Sequence, residues 1–134
     1  MSPNRALKIS SVLYAGLGLM VWSVLWLFPE VGIPEAQDSP SADALMTTAR
    51  AWGDINGTLF FGVGLILFLA GKNDGNIGAT GVMRTILLAN AVLAAILIGM
   101  GIFHTVVLNH GPPPPVFIVC TASLAVSIMG RQTA

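Results

Sequence analysis

The stretch RTILLANAVLAAILIGMGIFHTVVL, residues 84–108, decides what kind of protein this is. After Arg84 it contains no Asp, Glu, Lys or Arg. A helix rises about 1.5 Å per residue and a bilayer's hydrocarbon core is about 30 Å thick, so about 20 apolar residues cross it. A helix of a water-soluble core would show a charged face opposite its apolar stripe. A membrane β-barrel strand would alternate apolar and polar residues. This run does neither, and it reads as a transmembrane helix.

Three more segments read the same way: residues 6–28, 49–70 and the shorter 115–130. The whole chain of 134 residues is 54% hydrophobic and 9% charged. Soluble domains carry about 25% charged residues. Six acids and six bases do not make a water-soluble surface on a chain this size. A soluble enzyme, a disordered tail and a basic nucleic-acid binder are therefore excluded. The expected fold is all-α, a single membrane domain over residues 1–134 with four transmembrane helices. Cys120 is the single cysteine, so no disulfide forms within the chain and no cysteine cluster holds a metal.

The first segment is too long for the 7–15-residue core of a cleaved signal, and it is read as a true span. Charge placement fits four spans. Arg5, Lys8, Lys72, Arg84 and Arg131 fall on one side. Glu30, Glu35, Asp38 and Asp43 fall on the other, with Arg50 as the base there. By the positive-inside rule both termini lie on the cytoplasmic-type side. The longest connection is 29–48, with Pro29, Pro34 and Pro40, and Thr47 or Thr48 is the expected cap of the second helix. The turn GKNDGNIGATG joins the second and third helices. Four prolines, Pro112 to Pro115, stiffen the last connection.

Counting about 20 residues from Lys72 and from Arg84 brings Trp52 and His104 to the same interface. Arg50, Asp54, His104, His110 and Glu30 are thereby expected at one membrane face. Arg50 and Asp54 are four apart on one helix and can pair. Two readings of Arg50, Asp54 and His104 stay open. In one, Asp54 is interfacial and neutralised by Arg50. In the other, Asp54 orients His104 for proton transfer or ligand binding. His104 is also the candidate cofactor ligand, through a neutral imidazole nitrogen, for a haem or chlorophyll pigment. A quinone or lipid near the same residues is the further alternative.

Small residues recur at helical spacing. Gly53 and Gly57 form a GxxxG pair, and Ala91, Ala95 and Gly99 continue the pattern on the third helix. Such positions let helices approach closely, within this bundle or against another subunit. Asn56 and Asn90 are read as buried polar residues, each bonded to a neighbouring helix or subunit rather than to the other. Ser123 and Ser127 are expected to bond back to helix carbonyls. Trp22 and Trp26 read as lipid- or interface-facing aromatics. No HExxH, no His/Cys metal spacing, no phosphate-cradling GxxxxGK and no nucleophile beside a base is present. No catalytic residue emerges, and the balance leans away from an enzyme.

The run Ala49-Arg50-Ala51-Trp52-Gly53, followed by Gly57, Gly62 and Gly64, resembles the DoxX-like small four-helix membrane proteins. The Ala-Arg-x-x-Gly start, with His104 and Thr121-Ala122-Ser123-Leu124, is similar to the four-helix membrane scaffolds of the ergosterol pathway. The first resemblance implies a small membrane role that is sometimes redox-associated, and the second implies tethering of enzymes. The expected function is a non-catalytic accessory or scaffold subunit of a larger membrane complex. Its expected partners are membrane lipids and other membrane-protein subunits, not nucleic acid. The alternative is a small redox or carrier protein binding a quinone, lipid or tetrapyrrole near Arg50, Asp54 and His104. A small transporter is a third possibility, with few polar residues to line a path.

Overall fold

A computed structural model describes residues 1–29, 40–72, 79–107, 109 and 112–132. Among these residues the chain forms four helices and no strand: α1 Pro3–Leu27, α2 Ala42–Ala70, α3 Ala79–Val107 and α4 Pro114–Gln132. Each is long and apolar enough to cross a membrane. In lipid every backbone polar group must be satisfied internally, and a helix does this within one segment. The chain is therefore a multi-pass integral membrane protein.

The helices overrun the segments that hydropathy marks. α2 begins at Ala42 rather than near 49, and α3 at Ala79 rather than 84. Apolarity marks only the lipid-crossing part, while Ala, Leu and Met in 42–49 favour helix regardless of solvent. Thr47 and Thr48 consequently lie inside α2, and Ser41 takes the N-cap position. α1 opens on Ser2, whose Oγ accepts from the Arg5 N–H at 3.4 Å, with Pro3 leading the first turn. Asn109, at φ 50°, takes the left-handed conformation between α3 and α4.

Close contacts set the topology. A Cβ on Gly71 would lie 3.3 Å from Leu7 and Lys8 side-chain atoms, and one on Gly130 would meet Ala6 and lie 3.0 Å from Leu87. At the opposite end Gly53 lies against Leu25, and Gly101 against Phe117 and Pro112. The helices thus run up, down, up, down, and the start of α1 and the end of α4 share one end of the bundle. Arg5, Lys8, Lys72, Arg84 and Arg131 gather at that end. Asp43, Arg50 and Asp54 belong to the other. Glu30, Glu35, Asp38 and His110, placed by the sequence in the acidic half, lie outside the described residues.

The bundle is not a closed square. α1 is the central element, packing along α2 on one side and α4 on the other. α3 packs mainly on α4, and α2 and α3 scarcely touch. The α1–α2 seam depends on missing side chains. A Cβ on Gly18 would lie 2.6 Å from the Gly57 carbonyl oxygen and 2.8 Å from the Phe61 backbone nitrogen. One on Gly64 would lie 2.8 Å from the Ala15 nitrogen and the Ser11 carbonyl oxygen. Beside this seam Ala6, Leu7, Tyr14, Leu67, Met83 and Leu87 form the core, with Phe60 stacked on Tyr14 at 6.2 Å between ring centroids.

The α3–α4 seam carries a polar clasp. Asn90 Nδ2 donates to Ser123 Oγ at 2.9 Å and to Ser127 Oγ at 2.8 Å. Both serines are fully buried and Asn90 is 4% exposed. Asn90 thus bonds a neighbouring helix as its sequence position suggested. Each serine hydroxyl accepts from Asn90 and keeps its own O–H to donate. Thr85 and Thr105 do bond back, to the Gly81 and Gly101 carbonyls at 3.1 and 2.8 Å. The expectation for Asn56 requires correction: it is exposed. Gly53, Gly57 and Gly64 turn towards α1, and Asn56 lies off that face.

Candidate functional site

Two of the ionisable residues singled out in the sequence, Arg50 and Asp54, lie where α1 ends beside α2. α1 finishes at Leu27, so its last carbonyls lack intrahelical donors. Arg50 Nε donates to one of them, Leu25 O, at 3.2 Å. A guanidinium there also meets the negative end of the α1 dipole. The Arg50 guanidinium carbon lies 4.9 Å from the centre of the Trp26 ring. Stacking of this kind contributes about 0.5–1 kcal/mol at exposed sites.

Trp26 completes the arrangement. Its indole N–H donates to Asp54 Oδ1 at 2.8 Å. The Trp22 indole N–H reaches the Asp54 backbone carbonyl at 3.4 Å. Arg50 and Asp54, one turn apart on α2, therefore share Trp26 of α1: the cation lies over its face and the carboxylate accepts from its edge. Trp26 is about half exposed and Trp52 more so. This is an amphipathic, charge-balanced cluster of the kind that suits a membrane–water interface.

Glycines make room for it. A Cβ on Gly57 would lie 2.6 Å from Trp22 Nε1, and one on Gly53 would run into Leu25. The GxxxG pair thus receives side chains from α1, within the bundle. The third-helix small residues divide. Ala91 is buried, whereas Ala95 and Gly99 face outward.

His104 is not drawn into this cluster. It is an exposed residue of α3, a helix with few contacts to α2, and its ring neighbour is Phe103 at 6.0 Å. Among the described residues no group of three His, Cys, Asp or Glu side chains is arranged to hold a metal ion. A molecule ligated by His104 would lie against the outer surface of α3.

Trp22 and Trp26, read from the sequence as lipid- or interface-facing aromatics, also join α1 to α2 here. The signal was present as complementarity of size. Trp22 and Leu25 lie near the end of one helix, and Gly57 and Gly53, near the middle of its antiparallel neighbour, leave the space they fill.

Trp26→Phe tests the cluster. It keeps an aromatic face for Arg50 but removes the donor to Asp54. A loss of about 1 kcal/mol is expected, the usual net value of one hydrogen bond to a partly solvated group. Asp54→Asn keeps an acceptor and should cost less. Unfolding in mixed detergent micelles measures both, and a Trp26→Phe protein as stable as the parent contradicts the bridging role.

A scan of family models finds no match to this chain, and neither curated proteins nor solved structures give one.

Proposed function

We propose that this membrane protein is a non-catalytic accessory or scaffold subunit that joins a larger membrane complex through its outward small-residue faces. The observation that supports the reading is a division among its small residues. Gly18, Gly53, Gly57, Gly64, Gly101 and Gly130 are filled by neighbouring helices of the same chain. Around Gly62 and Gly99 an added Cβ would meet nothing within 4 Å. Ala95 precedes Gly99 by one turn on the exposed side of α3, and the exposed Asn56 offers an amide on α2. Between membrane helices, small residues permit close packing and an amide adds a hydrogen bond of about 0.6–2 kcal/mol. On the motif at residues 49–64, DoxX-like membership is part of this proposal.

The Trp26 bridge favours the structural reading of Arg50 and Asp54 over a ligand site shared with His104. The experiment is extraction in mild detergent followed by native mass spectrometry. A fixed stoichiometry with another membrane protein is expected, and Gly99→Leu should abolish it while the isolated chain stays helical. A lone, monodisperse chain carrying a chromophore or quinone would overturn the proposal.

A further inference from the structure

The outer face of α1, at the end where α1 starts and α4 finishes, carries a shallow, largely open groove of about 350 Å³ between the side chains of one helix, Arg5, Lys8, Ile9, Val12 and Leu13. Its chemistry changes along the helix. Arg5 and Lys8, three apart, project from one side of the first turns, and both are exposed. Branched aliphatic side chains follow, with Val12 71% exposed. From Lys8 to Leu13 the helix descends about 8 Å, the distance from a headgroup into the acyl region.

Neighbouring elements add positive potential. The Lys8 stem lies against Gly71, where a Cβ would be 3.3 Å from its Cγ. Lys72 follows Gly71, its ammonium 4.8 Å from the centre of the Phe68 ring. The N-terminus of α1 contributes the positive end of its dipole. Asp43 and Asp54 belong to the opposite end of the bundle, and Asp74, in the turn after Lys72, lies outside the described residues.

We propose that this groove binds an anionic phospholipid of the surrounding bilayer. The phosphate lies between Arg5 and Lys8, and an acyl chain covers Ile9, Val12 and Leu13. Charge complementarity selects this occupant. A second copy of the chain docked on the same face would bring its own Arg5 and Lys8 against these. A zwitterionic lipid carries a cation beside its phosphate and gains less from the three bases.

Native mass spectrometry of the full chain, released from nanodiscs containing a minor fraction of phosphatidylglycerol in phosphatidylcholine, tests the proposal. The parent protein should retain phosphatidylglycerol well above its share of the bilayer. Each base near an anionic surface is worth roughly a fivefold change in binding. Arg5→Gln with Lys8→Gln should therefore lower retention by roughly 25-fold. Arg5→Lys with Lys8→Arg should preserve it. Arg131→Gln, at the same end but outside the groove, should lower it by no more than the roughly fivefold of one base near the surface. Equal retention of both lipids by the parent protein overturns the proposal without recourse to any variant. So does an equal loss in Arg131→Gln, which would indicate diffuse charge, and so does displacement by inorganic phosphate, which would indicate a soluble anion.

Discussion

Replacing Gly18 by alanine should force α1 and α2 apart and cost about 3 kcal/mol, the upper part of the range for overpacking a tight contact. The new methyl would meet the Gly57 carbonyl oxygen and the Phe61 backbone nitrogen, at 2.6 and 2.8 Å. Neither atom can rotate away as a flexible side-chain tip would. Relief requires a shift of α2, and α2 is held almost entirely by α1. That shift would also separate Trp22 and Trp26 from Asp54 and loosen the interfacial cluster. Gly16→Ala is the matched control, because a Cβ there meets nothing within 4 Å. Denaturation in mixed micelles, followed by circular dichroism, should show a large loss for Gly18→Ala and none for Gly16→Ala. Equal stability of the two variants would mean that the close α1–α2 approach is not what holds α2.

Asn90→Ala should be the second most damaging single change considered, at about 3 kcal/mol. Two buried hydrogen bonds disappear, each worth about 0.6–1.7 kcal/mol between membrane helices. A cavity is left as well, and buried truncations carry that further cost. Ser123 and Ser127 would lose their donor but can turn to carbonyls of their own helix, which limits the penalty. Changing all three, as Asn90→Leu with Ser123→Ala and Ser127→Ala, should recover part of the loss, because replacing both partners of a hydrogen bond by apolar groups is often nearly neutral. A triple variant less stable than Asn90→Ala would show that packing, rather than the unmatched polar groups, sets the cost.

The interfacial cluster shows how far sequence reasoning reached. Arg50 and Asp54 stand one turn apart on any helix through residues 49–70, so their proximity follows from the helical repeat. Their shared partner did not follow. Trp26 is 28 residues from Asp54 along the chain, and an aromatic near the end of a span reads equally well as a lipid-facing anchor. His104 illustrates the reverse. Depth counting put it at the same end as Arg50, but depth carries no information about which helices are neighbours. Here α2 and α3 scarcely meet.

The number of spans and the gathering of bases at the end where α1 starts and α4 finishes were legible in the sequence alone. The reason is local. Lipid offers the backbone no hydrogen bonds, so a sufficiently apolar stretch must be helical whatever surrounds it. Rotation of each helix about its axis was decided only by the tertiary structure. These spans have no charged face opposite an apolar one, so the usual stripe that marks which face turns inward is missing. Facing depends instead on side-chain size and on single amides. That is why Gly18 and Gly57 meet inside while Gly62 and Gly99 are left open, and why Asn90 is clasped by two serines while Asn56 is exposed.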